Sequence, residues 1–171
     1  MRIIGTDRSP QAPTAGEKLR SESTLTRDAW MPLGWLGVTF IGMGVVDIGL
    51  GTYPPAFGNS EWEFGVVSSI LNGFAIPTMG VYLLLSSAIA RGRSRLSRGV
   101  AIGMFLTAAA LILMGLLYVT VVPIALNAVN QNDVIYLGMK KAVVKALIFM
   151  LAYWILYFLG GIKGWKASKV K

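Results

Sequence analysis

The residues that could do chemistry in this chain are few, and they fall in two places. Ser60-Glu61-Trp62-Glu63 sets two carboxylates around an indole, a spacing that could hold a cation. The same four residues fit the S-x-x-E capping box, with Ser60 as N-cap and Glu63 at the third helical position. Both acids would then face the positive end of a helix dipole, so capping is the stronger reading. Trp62 would anchor that helix end in a membrane interface. The other place is Asp47, the only acid inside an apolar run. Such a carboxylate is a functional candidate by default, as in proton-coupled exporters. Yet it lies about four residues from the end of its run, roughly 6 Å deep at about 1.5 Å per residue. An ion pair or a water contact near the headgroups fits that depth better. Lys145, the only basic residue inside an apolar run, lies at comparable depth and is the expected partner. Asn72, about two turns inside its own run, needs hydrogen-bond partners, expected on a neighbouring helix. Solute binding is the less favoured use of that amide.

The residue inventory excludes whole classes of chemistry. The chain has no Cys and no His. Disulfides, thiolate metal sites and thiol nucleophiles are therefore out, as are His-ligated haem, copper and zinc and the usual catalytic triad. We expect no catalytic residue, no cofactor site and no metal site.

The elements that must carry these residues follow from composition. Hydrophobic residues make up 54% of the 171 and charged residues only 14%, with a mean hydropathy of +0.61. A soluble domain carries about 25% charge. The expected fold is all-α: an integral membrane four-helix bundle with a disordered polar arm over residues 1–31. Its spans are expected at about 32–51, 64–90, 100–127 and 142–161, each long enough to cross about 30 Å of hydrocarbon. Pro77 and Pro123 are the candidate kinks. Thr26 could cap a short interfacial helix through Trp30.

Basic residues set the orientation. Arg2, Arg8, Lys18, Arg20 and Arg27 lie in the arm. Arg91, Arg93, Arg95 and Arg98 lie between spans two and three, and Lys163, Lys166, Lys169 and Lys171 in the tail. Four spans put all of these on one side and leave Lys140, Lys141 and Lys145 on the other, so both termini are expected in the cytoplasm. The three outer lysines fit a helix that begins before the membrane. The net charge of +8 then reflects topology and anionic headgroups, with no nucleic-acid partner expected.

Small residues recur every seven positions: Gly37, Gly44 and Gly51, then Gly73, Gly80 and Ser87, then Ala101, Ala108 and Gly115. Seven residues make nearly two turns, so each set is a stripe along which helix backbones can approach closely in lipid. Span four lacks such a stripe and is rich in bulky groups, among them Phe149, Tyr153, Trp154, Tyr157 and Phe158. It is the expected lipid-facing or partner-facing helix.

The loop Phe57-Gly-Asn-Ser-Glu-Trp-Glu-Phe-Gly65, followed by Ile76-Pro-Thr-Met-Gly80, resembles a group of uncharacterised bacterial four-span proteins. Those carry a similar F-x-N-P-E-W-E loop before the second span, and some cyanobacterial members are linked to hormogonium polysaccharide secretion. Ser60 stands where that pattern has Pro. The resemblance covers about 30 residues clearly. It implies a fold and carries no catalytic residues.

The functional expectation is a non-enzymatic accessory or scaffold subunit of a larger complex in the bacterial inner membrane, respiratory, photosynthetic or secretory. Its partners would be lipids and other membrane subunits. The alternative is a small proton-coupled transporter using Asp47. A membrane enzyme acting on lipid or polysaccharide ranks third, because only Glu61, Glu63 and Asp133 could gather at one interface.

Overall fold

The computed structural model describes residues 15–127 and 134–169, and within them the chain is all-α. Five helices follow in order: α1 (Ala15–Thr52), α2 (Ser60–Gly73), α3 (Ala75–Ala90), α4 (Ser94–Asn127) and α5 (Val134–Ala167). Three stretches are long and apolar enough to cross a membrane, namely Asp28–Thr52 of α1, all of α4 and Ile135–Ala167 of α5. The stretches Glu61–Gly73 and Ala75–Ala90 meet the same criterion only together, as a pair bent by 41°.

Two features differ from the expected layout. The polar arm is helical from Ala15 onward, and α1 runs without a break through Thr26 and Trp30. Extending an existing helix needs no new nucleus, so polar residues attached to a long apolar helix continue it at little cost. Residues 1–14 lie outside the described residues. The second expected span is two helices, and Pro77 accounts for the position of the break. Proline has no N–H to give to the carbonyl four residues back, and its ring clashes with that carbonyl. The carbonyl in question belongs to Gly73, where α2 ends. Beyond it, the Thr78 N–H and the Thr78 hydroxyl both donate to the Phe74 carbonyl, at 3.1 and 2.6 Å. Pro123, by contrast, is carried inside an unbroken α4.

The glycines set which helices touch. A β-carbon on Gly34 would meet the Ser87 hydroxyl, one on Gly44 the Pro77 ring, and one on Gly51 the Ser69 hydroxyl. Gly37 and Gly80 face each other backbone to backbone. The contacts descend α1 as they climb α3 and α2, so the first two small-residue stripes form one antiparallel seam. The third stripe packs on α5. A β-carbon on Gly164 would meet Ala101, and one on Gly115 would meet Met150. The span expected to lack such a stripe thus supplies Gly160 and Gly161 at its far end and Gly164 just beyond it, against Met104, Phe105 and Ala101 of α4.

A core of Leu71, Leu85, Met104, Leu111, Tyr118 and Tyr157 lies among α2, α3, α4 and α5. No Cα of α1 comes within 8 Å of α4 or α5 among the described residues. The helices are therefore a cluster of α2–α3, α4 and α5, with α1 laid along one side.

Candidate functional site

The turn before α2 is a cap, displaced by one residue from the expected box. Asn59 is the N-cap, and its side-chain oxygen accepts the Glu61 and Trp62 backbone N–H groups at 3.0 and 3.3 Å. Ser60 is the first helical residue. Glu63, the fourth helical residue, reaches back to accept the Gly58 N–H at 3.1 Å, two residues before the N–H that the expected box would use. Glu61 is exposed, and both acids lie in the first turn of α2. Trp62 packs edge-on against Phe57 at 5.4 Å. The two rings border a cleft of about 320 Å³ that reaches Tyr118 and Val121 of α4. Among the described residues, no three acidic side chains gather where a metal ion could sit.

Asp47 occupies a different place from the one its sequence position suggests. Its Oδ2 lies 2.8 Å from where a β-carbon of Gly73 would stand. The carboxylate is thus level with the break between α2 and α3, beside Gly73. Phe74, the residue at the break, packs on Tyr153 of α5 at 5.4 Å. Lys145 precedes Tyr153 by eight residues, about 12 Å of helix, and Lys163 follows it by ten, about 15 Å. Asp47 is therefore near the middle of the apolar stretch that these lysines bracket. The shallow depth inferred from its own run fails because α1 stops short. Gly51 is level with Ser69, and α2 continues for nine more residues, about 13 Å, to its start at Ser60.

The expected Asp47–Lys145 pair does not form. The two helices do not touch, and the lysine stands about 12 Å farther along the axis. The Lys145 ammonium lies over the Phe149 ring at 5.3 Å instead, and Lys140 lies over Tyr136 at 4.6 Å. All three outer lysines are carried by α5, which starts at Val134. Asp47 itself is exposed on α1. Asn72, expected to bond a neighbouring helix, is exposed as well, because the adjacent Leu71 takes the inward position at 1% exposure. Asp47 beside Gly73, with Asn72 next in the chain, forms an outward-facing polar spot on an otherwise apolar surface.

The aromatic face of α5 divides. Tyr157 is buried and sits 3.4 Å from the Thr78 hydroxyl, so it belongs to the core and not to a partner-facing surface. Trp154 stacks on Phe158 at 5.5 Å and lines an apolar cleft of about 250 Å³ with Gly115 and Met150.

Three hydroxyls act as positioning groups, of which only Ser87 was singled out from the sequence, as a small residue of the second stripe. Ser87 donates to the Trp30 carbonyl at 2.7 Å, Tyr82 to the Leu156 carbonyl at 2.6 Å and Ser97 to the Gly164 carbonyl at 2.9 Å. These bonds tie α3 to α1, α3 to α5 and α4 to α5. Hydroxyls inside apolar runs are the usual polar links between membrane helices, and that signal was present at Tyr82 and Ser87, whereas Ser97 lies in the basic stretch before span three. No family model, curated protein or solved structure matches this chain.

Proposed function

We propose that the chain is a non-enzymatic accessory or scaffold subunit of a larger complex in the bacterial inner membrane. In this reading α1, the bent α2–α3 pair, α4 and α5 are four spans, and both termini are cytoplasmic. The complex would serve respiration, photosynthesis or envelope secretion. One observation carries the reading: among the described residues α1 packs only on α2 and α3, and its margin beside Gly73 bears an exposed carboxylate at mid-depth. Val45, Val46 and Leu50 around it are 60% exposed or more. A charged group there costs several kcal/mol unless protein or water meets it. A neighbouring subunit over this side of α1 supplies that contact.

A second reading is supported by the position of Asp47. Carboxylates at the midplane beside a broken helix are a common plan of ion-coupled carriers. In that reading Asp47 exchanges a proton and the subunit is a small transporter.

The test places a photo-crosslinking residue at Val46 in cells and follows Asp47→Asn in parallel. The accessory reading expects a discrete protein adduct at Val46 that weakens in the Asn variant. Adducts to lipid alone would overturn it. For the carrier, the purified protein in vesicles with an imposed pH gradient must show proton flux. Asp47→Asn must abolish that flux at an unchanged melting temperature.

A further inference from the structure

We propose that the cleft between α1, α3 and the start of α4 binds one acidic glycerophospholipid. Its phosphate would lie at Arg91 and Arg93, and an acyl chain would run along Met31, Trp35, Val38 and Leu84. The proposal rests on the reading of the chain as a membrane protein.

The cleft exists because of how the helices touch. α1 follows α3 but never approaches α4, so a wedge stays open on the face of α3 between them. The wedge encloses about 280 Å³. Its walls are apolar along α1 and at Leu84. Its two arginines stand at one end only, in and beside the short turn from α3 to α4. Gly92, at φ +64°, makes that turn tight enough to hold both arginines at the cleft mouth. Leu84 to Arg91 is seven residues, about 10 Å along the helix. A small anion would need the arginines but has no use for the apolar length. A neutral lipid would need the length but not the arginines. An acidic phospholipid uses both.

Three other clefts lack this pairing. The α4–α5 cleft at Gly115 is lined by no charged residue. The cleft at Trp62 has Glu63 at its edge, which repels an anion. The cleft of Arg95, Arg98 and Lys169 is basic but has no apolar wall. Arg93 also borders a cleft on the α5 side of the same turn, beside Ala88 and Ile89, so arginine variants alone do not identify the cleft.

The test uses the full chain, extracted in detergent, stripped of lipid and titrated by native mass spectrometry. The probes are phosphatidylglycerol and phosphatidylcholine with identical chains. A cation near anionic lipid favours binding by roughly fivefold, so the arginines should give a preference of at least about fivefold for phosphatidylglycerol, as one adduct per chain. The double variant Arg91→Gln, Arg93→Gln should bind the two lipids equally. Val38→Trp fills this cleft and not the one beside Ala88, and it should lose the adduct while keeping its melting temperature. Equal retention of both lipids by the native chain would overturn the proposal, as would an adduct that survives Val38→Trp. Displacement of the lipid by millimolar inorganic phosphate would show a simple anion site and overturn it too. A chain recovered in water without detergent would remove the membrane reading and the lipid with it. A detergent-requiring chain with no lipid preference would remove the lipid alone.

Discussion

A β-carbon on Gly37 would stand 2.6 Å from the Gly80 carbonyl oxygen, and one on Gly80 would stand 2.6 Å from the Gly37 carbonyl oxygen. The relation is reciprocal, and the obstructing atoms are backbone, which cannot rotate away. Any side chain at either position must push α1 off α3. Gly80→Leu should therefore cost at least the 1–3 kcal/mol typical of overpacking. Gly42 and Gly49, on the same helix, have nothing within 4 Å of a β-carbon. Alanine at either should be neutral or stabilising by up to about 1 kcal/mol, because glycine is a poor helix former. Melting temperatures in detergent separate the two classes; equal effects would mean that α1 is not seated on this seam.

The cap of α2 predicts a contrast between neighbours. Asn59→Ala removes the acceptor of two backbone N–H groups and should cost about 1 kcal/mol. Ser60→Ala, at the first helical position, should be close to silent. Denaturation of the two variants side by side decides it, and a larger loss at Ser60 would restore the expected box with Ser60 as the cap.

Much of the helix layout was legible, because small residues every seven positions record which faces come close. Gly37 meets Gly80, and Gly44 meets the Pro77 ring, on the faces that their spacing implies. The break at Gly73 was legible only in part: Pro77 signals it, but the discontinuity falls four residues before the proline. That Asp47 and Lys145 do not pair was not legible, for two physical reasons. Chain order does not fix which helices are neighbours, and α2–α3 separates α1 from α5. Counting depth from the end of an apolar run also assumes that every run ends in one plane. Asn59 and Ser60 are both good caps, and local pattern does not choose between residues one position apart.

Membrane orientation has a direct test, since the chain has no native Cys to remove. Ala56 and Ser94 are both exposed, in the α1–α2 loop and at the start of α4. Cysteines placed singly at these positions should react from opposite sides in intact cells, Ala56→Cys with an impermeant reagent and Ser94→Cys only after permeabilisation. Labelling of both from outside would invalidate the four-span layout. Labelling in the reverse order would place the termini outside.

Pro77→Ala asks whether the break belongs to the proline or to the packing around it. The substitution returns an N–H that can reach the Gly73 carbonyl, and it removes the ring that clashes with that carbonyl. Both changes favour one continuous helix from Ser60 to Ala90. Against them stands the seat of the ring itself, which fills the space that a side chain on Gly44 would take. Losing it opens a gap on the α1 seam. If the proline causes the bend, α2 and α3 should straighten from 41°, and spin labels at Glu61 and Ala90 should move apart. Gly73 would then shift away from Asp47, and any exchange of protons or partner contact at that carboxylate would weaken along with the bend. If packing holds the bend, the label distance should stay fixed and the variant should lose about 1 kcal/mol or more to the gap. We expect the first outcome. The clash at Gly73 is local and present in every conformation that keeps the helix regular, whereas the gap at Gly44 can close as α1 settles toward α3.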